Sequence, residues 1–391
     1  MELIYFFISF EYSIHNGIFN KVNNQVLNLR KEGINARIVL IQLRPIDFIN
    51  NHWTDTFFIT NYRKQSIYSN FVTICKIRRI FRDVLKKLHN NDVFYFRGFG
   101  IPIFVYPLNF LTGKFKCLFI SEHQTFELNE FRLSKKYGSY ILELLFGKII
   151  RKKINGFVSV TDEISTYQSK KIQNVKKPHI TIGNGVDIKS LSIRQINFFN
   201  SFQINMLCIA NINRWHGLDR LIKGIALYHG FKKVTVHIVG TGPELQKLKQ
   251  MVLDHNLFEQ VIFHGFTTGA ALDNLFNTCH IAVGSLGIHR KGLTQTSELK
   301  VREYCARGIP WIIACRDPDF PDDFPYIHRI PADESPVNIE EVIEFVKRVY
   351  ADPDHPQKMR EYALEHLDWS VKMKKLKTFL ESLVDESPPE A

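Results

Sequence analysis

A segment in the last third of the chain has the residue types that hold a phosphorylated ligand. Residues 297–307 begin with a small polar residue and have the pattern of a helix, which Gly-Ile-Pro at 308–310 ends before the apolar run 311–314. The first amides of a helix lack partners within it and bind phosphate readily. Glu303 lies about one turn further in, well placed to accept hydrogen bonds from ribose hydroxyls. The segment therefore predicts a site for a phosphorylated, ribose-containing ligand.

The elements that must position this segment follow an α/β pattern. Strand-like apolar runs alternate with longer amphipathic segments, which predicts parallel sheets. In the first half we predict strands at Leu3–Phe10, Ala36–Gln42, Val93–Phe96, Cys117–Glu122 and Gly156–Val160, a helix at Gly17–Lys31 and another helix after Thr161. In the second half we predict strands at 206–210, 234–239, 261–264, 281–284 and 310–314, and helices at 217–229, 243–255, 271–277 and 297–307.

This order predicts two Rossmann-like domains, at residues 1–190 and 206–367. A polar stretch at 191–205 is interpreted as the linker, and 368–391 as a terminal helix and tail. Ligands of open parallel sheets bind beyond the carboxyl ends of the strands. Two such sheets that face each other across a cleft would hold a donor and an acceptor between them.

The net charge of +12 is placed unevenly along the chain. Residues 1–190 hold 28 basic and 14 acidic residues, or +14, whereas residues 191–391 hold 23 and 25, or −2. A basic half favours a polyanionic partner: nucleic acid, a phosphorylated substrate or an anionic membrane. Two basic-apolar segments, 63–87 and 137–153, carry much of the excess. Each is interpreted as a solvated helix face packed on its own sheet or, alternatively, as an interfacial membrane contact.

Several classes of protein are disfavoured by composition. The six cysteines are scattered without a CxxC pair, which indicates free thiols in a reduced, cytoplasmic compartment. The apolar run at 1–10 contains an acidic residue and no cleavage site, so we interpret it as a strand and not as a signal peptide. The longest uncharged run, 98–113, is too short to span a bilayer. Without a carboxylate cluster we expect no metal and no cofactor beyond a donor substrate.

Five segments, in order along the chain, resemble motifs of family 4 (group 1) glycosyltransferases, enzymes of the GT-B fold that use nucleotide sugars. They are Asn16-Gly17-Ile18, Gly183–Asp187, Ile238–Glu244, Val261–Phe266 and Ser297–Pro310. The resemblance implies a GT-B architecture whose C-terminal helix returns to the first domain. It also implies retaining, hexosyl-type transfer from a nucleotide sugar to a saccharide or polyprenyl-diphosphate-linked saccharide. Trp-His-Gly at 215–217 is similar to a subgroup associated with bacterial surface-polysaccharide synthesis.

The resemblance also implies roles for residues of this sequence. Glu303 would hold the ribose, the amides of Leu299 and Lys300 the diphosphate, and the side chains of Lys300 and Arg214 would add positive charge. The catalytic candidates are His123, Gln295, Lys300 and Glu303, of which His123 and Gln295 would orient the donor sugar. The donor-binding candidates are Gly17, Arg214, His216, Gly240, Phe266, Ser297, Glu298 and Leu299, with Gly240 and Phe266 beside the nucleobase. Arg97 and Glu127 are candidates for the acceptor.

The sequence departs from the family motif at three positions. Gln295 stands where the family has its first glutamate, while Asn211 and His216 replace an arginine and a lysine that neutralise the diphosphate. Besides Lys300 and Arg214, the candidates to supply the missing charge are Arg290 and Lys291. Glu298 is interpreted either as a substitute carboxylate or as a helix-capping residue, and His216 as functional or structural.

Two candidates in the first half have alternatives as well. Glu127, like Glu130, is interpreted as an acceptor ligand or as a surface charge paired with Lys135 or Lys136. Arg97 is interpreted as an acceptor-phosphate ligand or as an ordinary residue at a strand end.

Other functions remain open at this stage. The three departures also fit a catalytically degenerate GT-B protein that binds nucleotide or polysaccharide without turnover. A GT-B sugar-nucleotide epimerase and an inverting transferase are further alternatives, and the inverting reaction would need Glu127 or His123 as its base. A nucleic-acid binder would explain the basic half, but we find no recognition motif for one.

Overall fold

The chain forms two compact units, each built on one parallel sheet. The computed structural model describes residues 1–9, 17–42, 52–58, 67–97, 116–172, 176–195 and 203–385. Unit 1 comprises Met1–Gly183 together with Trp369–Ala391, and unit 2 comprises Asn184–Asp368.

Unit 1 contains a sheet of seven strands in the order β3-β2-β1-β4-β5-β6-β7. The strands are β1 (Glu2–Ser9), β2 (Asn35–Gln42), β3 (Thr54–Phe58), β4 (Val93–Arg97), β5 (Leu118–His123), β6 (Gly156–Ser159) and β7 (His179–Thr181). The helices are α1 (Gly17–Lys31), α2 (Ile67–Leu85), α3 (Glu127–Leu133), α4 (Tyr137–Lys153), α5 (Asp162–Ile172) and the C-terminal α12 (Trp369–Asp385). Helix α12 packs on α1, where Lys377 Nζ donates to the Glu32 carbonyl at 2.7 Å.

Unit 2 contains a sheet of six strands in the order β10-β9-β8-β11-β12-β13. The strands are β8 (Gln203–Ile209), β9 (Lys233–Val239), β10 (Val261–Gly265), β11 (Ile281–Val283), β12 (Trp311–Ile313) and β13 (Ile327–Arg329). The helices are α6 (Leu218–Leu227), α7 (Leu245–Asp254), α8 (Ala270–Thr278), α9 (Leu299–Arg307), α10 (Ile339–Tyr350) and α11 (His355–His366). The strand order reverses between β8 and β11, so a crevice is expected at their carboxyl ends.

The central strands are apolar on both faces because helices cover both sides of a parallel sheet. Phe6, Phe94 and Phe119 in unit 1 are all buried, and the ring of Phe81 on α2 packs edge-on against Phe94 at 5.2 Å. This continuous apolar character is what made the central strands predictable.

The α/β fold class predicted from the sequence is confirmed, and the bounds of α1 are those predicted. The edge strands β3 and β13, and the helices α10 and α11, were not predicted. Strand β3, with the sequence TDTFF, is short and mostly polar, as an edge strand open to water can be.

The segment interpreted as a linker differs from the prediction. Strand β8 begins at Gln203, inside the predicted linker 191–205. Arg194 is buried and donates to the carbonyls of Gly308 at 2.8 Å and Cys279 at 2.9 Å. The polar stretch is therefore partly a structural element of unit 2, because its arginine satisfies buried backbone carbonyls.

No helix within the described ranges has both the length and the apolarity that crossing a bilayer requires.

Candidate functional site

The loops after β8 and β9 are joined directly through their backbones. The amide of Ile212 donates to the Thr241 carbonyl at 2.7 Å, and the amide of Glu244 donates to the Ile212 carbonyl at 3.1 Å. Gly240 lies in this contact with φ +120°, and a Cβ built there would be 1.9 Å from the Ala210 carbonyl oxygen. The Gly-x-Gly segment is therefore needed for close backbone approach.

Replacing Gly240 by alanine is expected to destabilise unit 2 more than replacing Gly265. At Gly265, φ is +67° but no atom lies within 4 Å of the built Cβ, so only the backbone conformation is penalised, by about 1–2 kcal/mol. At Gly240 the clash with Ala210 adds about 1–3 kcal/mol more. Urea unfolding of both variants measures the difference. Equal losses would contradict the close approach.

The two residues predicted to line a nucleobase pocket lie at neighbouring strand ends. The Gly240 amide donates to the Gly265 carbonyl at 2.6 Å. Phe266 follows directly, and its side chain is 65% exposed. An exposed aromatic ring beside a glycine backbone offers a flat apolar surface for stacking. The nucleobase itself remains a prediction.

His216 joins the loop after β8 to the loop after β11. Its carbonyl accepts from the Leu286 amide at 3.0 Å, and its Nδ1 accepts from the Asn213 amide at 3.0 Å. Burial, and then the positive charges of Lys300 and Lys291, hold the pKa of His216 well below its usual value. The imidazole is therefore neutral at pH 7, and its proton is on Nε2 because Nδ1 accepts. His216 thus serves structure through Nδ1 and offers an Nε2–H donor.

Two of the candidate cations prove to be engaged within the protein. Arg290 binds both carboxylate oxygens of Asp219, at 2.9 and 2.8 Å, and also Glu334 at 2.6 Å. Its charge is therefore balanced locally and does not compensate for the departures at 211 and 216. Lys291 is buried, with its Nζ 4.7 Å from the centroid of the Trp215 ring.

Arg214, the candidate predicted to add positive charge, lies on the turn before His216 and is exposed. Its carbonyl accepts from Arg290 Nη1 at 2.7 Å, which holds the backbone of the turn in place. The guanidinium of Arg214 therefore stays a prediction for the donor site.

Lys300 lies in the first turn of α9 with its ammonium group buried. Its side chain is 12% exposed and its Nζ has no hydrogen-bond partner among the described residues. The nearest carboxylate oxygen is Glu298 Oε2, at 3.5 Å. At that distance the two groups form an ion pair, and the donors of the ammonium that make no hydrogen bond among the described residues are able to bind an anionic ligand.

Glu298 occupies the N-cap position of α9 but does not cap it. Its side chain makes no hydrogen bond to the first amides of the helix, and its Oε1 accepts from the Ser285 amide at 3.2 Å instead. Glu298 therefore lies at the N-terminus of the helix, where the macrodipole favours a carboxylate, but its side chain does not cap the helix. The carboxylate turns toward the loop after β11 and leaves the amides of Leu299 and Lys300 without a cap from Glu298.

Glu303 lies one turn further along α9 and is partly exposed. Its Oε1 accepts from Arg307 Nε at 2.8 Å, and Arg307 also pairs with Asp273 at 2.8 Å. The i,i+4 contact orients the carboxylate along the helix. Its predicted role at the ribose stays a prediction.

Ser297 is held by Asn184, the first residue of unit 2. Its Oγ accepts from the Asn184 amide at 2.7 Å, and the Asn184 side chain donates to the Ser297 carbonyl. The Asn-Gly-Val-Asp motif therefore positions the loop before α9. Gln295 lies in the same loop, which pairs with Arg316 through Thr296 N to Arg316 O at 2.9 Å.

A buried ion cluster that we did not predict anchors α9 to the loop after β12. Arg302 is fully buried and pairs with Asp317, at 2.9 Å from Nη2 to Oδ1, and with Asp319. Its Nε donates to the Asn184 carbonyl at 3.0 Å. The available signal was Asp-Pro-Asp at 317–319, placed directly after a buried strand.

His123 and Glu127 lie in the interior of unit 1, in contact with each other. His123 Nδ1 and Glu127 Oε1 are 2.6 Å apart, and His123 Nε2 is 2.9 Å from Ser121 Oγ. Glu127 also binds Arg151 at 3.3 Å and Gln168 at 2.8 Å, and not Lys135 or Lys136 as the alternative proposed. A contact with sugar or acceptor stays a prediction that requires one of these bonds to break.

Arg97 lies at the carboxyl end of β4, beside a buried charged group. Its Nη1 has no hydrogen-bond partner among the described residues. Nearby Glu122 pairs with Lys21 at 2.8 Å. Burial raises the pKa of Glu122, but the charges of Lys21 and Arg97 hold it below its usual value. Gly17 begins α1 and is exposed, whereas Asn16 of the same motif lies outside the described residues.

Part of the sequence, most of it in unit 2, is similar to a known protein family. Residues 190–322 match the family model of group 1 glycosyl transferases. This confirms the resemblance to the group 1 glycosyltransferases. No protein with curated annotation matches the sequence.

Solved glycosyltransferase structures resemble nearly the whole chain. Sucrose-phosphate synthase from Thermosynechococcus elongatus has a TM-score of 0.74 at 14% identity, covering 99% of this chain and all of that one. The pneumococcal O-GlcNAc transferase GtfA, in complex with UDP and GlcNAc, has 0.66 at 10%, covering 99% of both. The lipopolysaccharide outer core galactosyltransferase WaaB has 0.62 at 14%, covering 98% and 99%. At such identities the likeness establishes the fold, GT-B.

Within this glycosyltransferase fold, the site has the groups for binding a diphosphate. They are the amides at the start of α9, which the Glu298 side chain does not cap, the Lys300 ammonium and the Nε2–H of His216. Among the described residues, no three His, Cys, Asp or Glu side chains form a metal-binding group.

Proposed function

We propose that the protein is a retaining, family 4 glycosyltransferase that moves a hexosyl group from a nucleotide sugar to a saccharide or lipid-linked saccharide. The observation that carries the proposal is the buried Lys300 ammonium, which has no hydrogen-bond partner among the described residues, in the first turn of α9. A nucleoside diphosphate is the leaving group that this position would stabilise.

The leaving diphosphate gains negative charge as the glycosidic bond breaks. The ammonium of Lys300 and the amides of Leu299 and Lys300 provide fixed donors for that charge. His216 adds an Nε2–H donor where the family has a lysine. Because these donors are already in place before the bond breaks, they stabilise the transition state without reorganisation. We therefore propose that these donors take the place of a metal ion in the transfer.

From the resemblance to family 4 we propose that the reaction retains the anomeric configuration without a protein nucleophile. In that reaction the acceptor attacks on the face from which the diphosphate departs, so the protein contributes positioning and charge stabilisation. Glu303 would fix the ribose and Gln295 the sugar hydroxyls.

The acceptor and the setting are inferred from charge and from the relatives. Solved relatives include a lipopolysaccharide galactosyltransferase and an O-GlcNAc transferase bound to UDP. Excess positive charge in residues 1–190 suits a polyprenyl-diphosphate-linked saccharide at the cytoplasmic face of the membrane. We place the enzyme in surface-polysaccharide synthesis and expect a UDP-sugar as donor.

The test is nucleotide release from UDP-, GDP- and dTDP-sugars, with and without polyprenyl-diphosphate-linked acceptors. We expect slow release from one donor and faster release with an acceptor. Glu303→Ala is expected to raise the KM for that donor about 10- to 150-fold, as the loss of charged hydrogen bonds to ribose predicts. Product stereochemistry, read by NMR of the transferred sugar, tests retention.

Asp273→Asn is the matched control for Glu303→Ala. It removes the other carboxylate that pairs with Arg307 and leaves Glu303 in place. Equal effects of the two variants would show that Glu303 acts only through the ion pair. Nucleotide binding without release from any donor would favour a degenerate binding protein, and no binding at all would overturn the proposal.

A further inference from the structure

Helix α4 of unit 1 has apolar side chains on two sides: Ile150 is buried in the core, with Leu142 and Phe146 packed against that core, and further apolar side chains are exposed. Four of its large apolar side chains are each more than half exposed: Tyr137, Ile141, Leu144 and Leu145. At helical spacing these four residues lie along one stripe. A surface helix of a globular domain normally turns such a stripe toward the core, so this arrangement needs a specific cause.

Ion pairs on the buried side of α4 are that cause. Glu143 and Arg151 are buried and pair with each other at 2.7 Å, and Lys171 of α5 binds Glu143 at 2.9 Å. Arg151 also binds Glu127 at 3.3 Å. Rotating the helix to bury its apolar stripe would break these ion pairs and leave buried charges without partners. These buried ion pairs therefore keep the apolar stripe on the exposed side of the helix.

The exposed surface around the stripe is basic. Lys148 and Lys152 continue the stripe toward the C-terminus of α4, Lys153 lies beside it, and Lys135 and Lys136 precede its first turn. All five are exposed. Glu143, the one acidic residue in the α4 sequence, is on the buried side.

From these observations we propose that the exposed face of α4 docks the protein on an anionic membrane surface. The apolar stripe would enter the headgroup region while the lysines contact anionic lipids. The inference rests on the proposed function, to which it adds the surface that brings the enzyme to a lipid-linked acceptor.

Charge decides between a membrane and a second copy of this chain as the occupant. A symmetric dimer through α4 would bring the same lysines of both copies together. The lysines of the two copies would repel each other in such a dimer, whereas an anionic lipid surface has the opposite charge and attracts them.

The other basic-apolar segment of the sequence behaves differently. On α2, none of the large apolar side chains that the structure describes is exposed, and Ile77 and Phe81 are buried. Its basic residues therefore form a solvated helix face, the first interpretation of both segments. For α4 the alternative, membrane contact, is the one we propose.

The test is co-sedimentation of the full chain with vesicles of phosphatidylcholine and phosphatidylglycerol in equal parts, compared with phosphatidylcholine alone. We expect binding to the anionic vesicles that weakens as salt is added. The triple variant Ile141→Glu, Leu144→Glu, Leu145→Glu is expected to bind more than about tenfold more weakly, since three inserting side chains become anionic. The substituted positions are exposed, so the fold should persist, as thermal unfolding will show.

A matched control places the same change on apolar surface elsewhere. Leu227 and Phe231 of unit 2 are also exposed, and Leu227→Glu with Phe231→Glu is expected to leave vesicle binding unchanged. The proposal would be overturned if the triple variant bound the vesicles as tightly as the wild type, or if the triple variant and the control variant lost binding equally. It would also be overturned if the wild type formed a dimer that the triple substitution dissociates. Nucleotide release from the donor in the presence of a soluble acceptor reports the proposed function separately, so failure of one is distinguishable from failure of the other.

Discussion

Replacing Lys300 by methionine is expected to lower kcat/KM for the donor about 10²- to 10³-fold. The substitution keeps the length of the side chain and removes the charge that faces the leaving diphosphate. It also leaves the Glu298 carboxylate, 3.5 Å away, without its cation, which adds repulsion of the donor. Steady-state nucleotide release with the preferred donor measures the effect.

Two further variants separate electrostatics from stability. Lys300→Met with Glu298→Gln removes both charges, so we expect it to regain stability lost in the single variant but not its activity. Lys223→Met removes an exposed charge from α6 and is expected to leave kcat/KM unchanged. A Lys300 variant that keeps kcat/KM within about threefold of wild type would show that the ammonium does not contact the donor.

Replacing Arg302 by methionine is expected to destabilise unit 2 by about 3–5 kcal/mol at pH 7. Arg302 is fully buried, and without it the carboxylates of Asp317 and Asp319 lose their cation, while the Asn184 carbonyl loses a donor. Urea unfolding followed by tryptophan fluorescence measures the loss. Arg316→Met, which removes an exposed arginine 3.1 Å from Asp322, is the control and should cost about 0–1 kcal/mol.

The loss of unfolding free energy in the Arg302 variant should depend on pH and be larger at neutral than at acidic pH. An unpaired buried carboxylate has a pKa raised above its unfolded value, so the folded variant takes up a proton more readily than the unfolded chain. The destabilisation is therefore greatest at neutral pH and narrows as the pH falls toward about 4, the unfolded pKa of aspartate. A deficit that stays constant from pH 7 to 4 would contradict the ion cluster as its cause.

Local patterns in the sequence determined the elements that are buried on both faces or amphipathic in the usual sense. Helix α1 ends where its periodicity ends, and most predicted strand bounds agree with the structure to within a few residues. The positions of the glycine-containing turns could also be predicted from the sequence, because a turn such as that at Gly240 tolerates no side chain. The edge strands β3 and β13 were missed because they are short and carry polar residues, with the sequences TDTFF and IHR.

Only the tertiary structure decided which charged residues are paired, because pairing joins residues far apart in the chain. In the folded protein Arg290 is engaged in ion pairs, and His123 and Glu127 are buried in contact with each other. The Lys300 ammonium has no hydrogen bond among the described residues. The tertiary structure also placed the apolar stripe of α4 on the surface, since the partners of Glu143 and Arg151 include residues of two other helices. Burial and charge balance are properties of the assembled neighbours, whereas periodicity and glycine geometry are properties of the local chain.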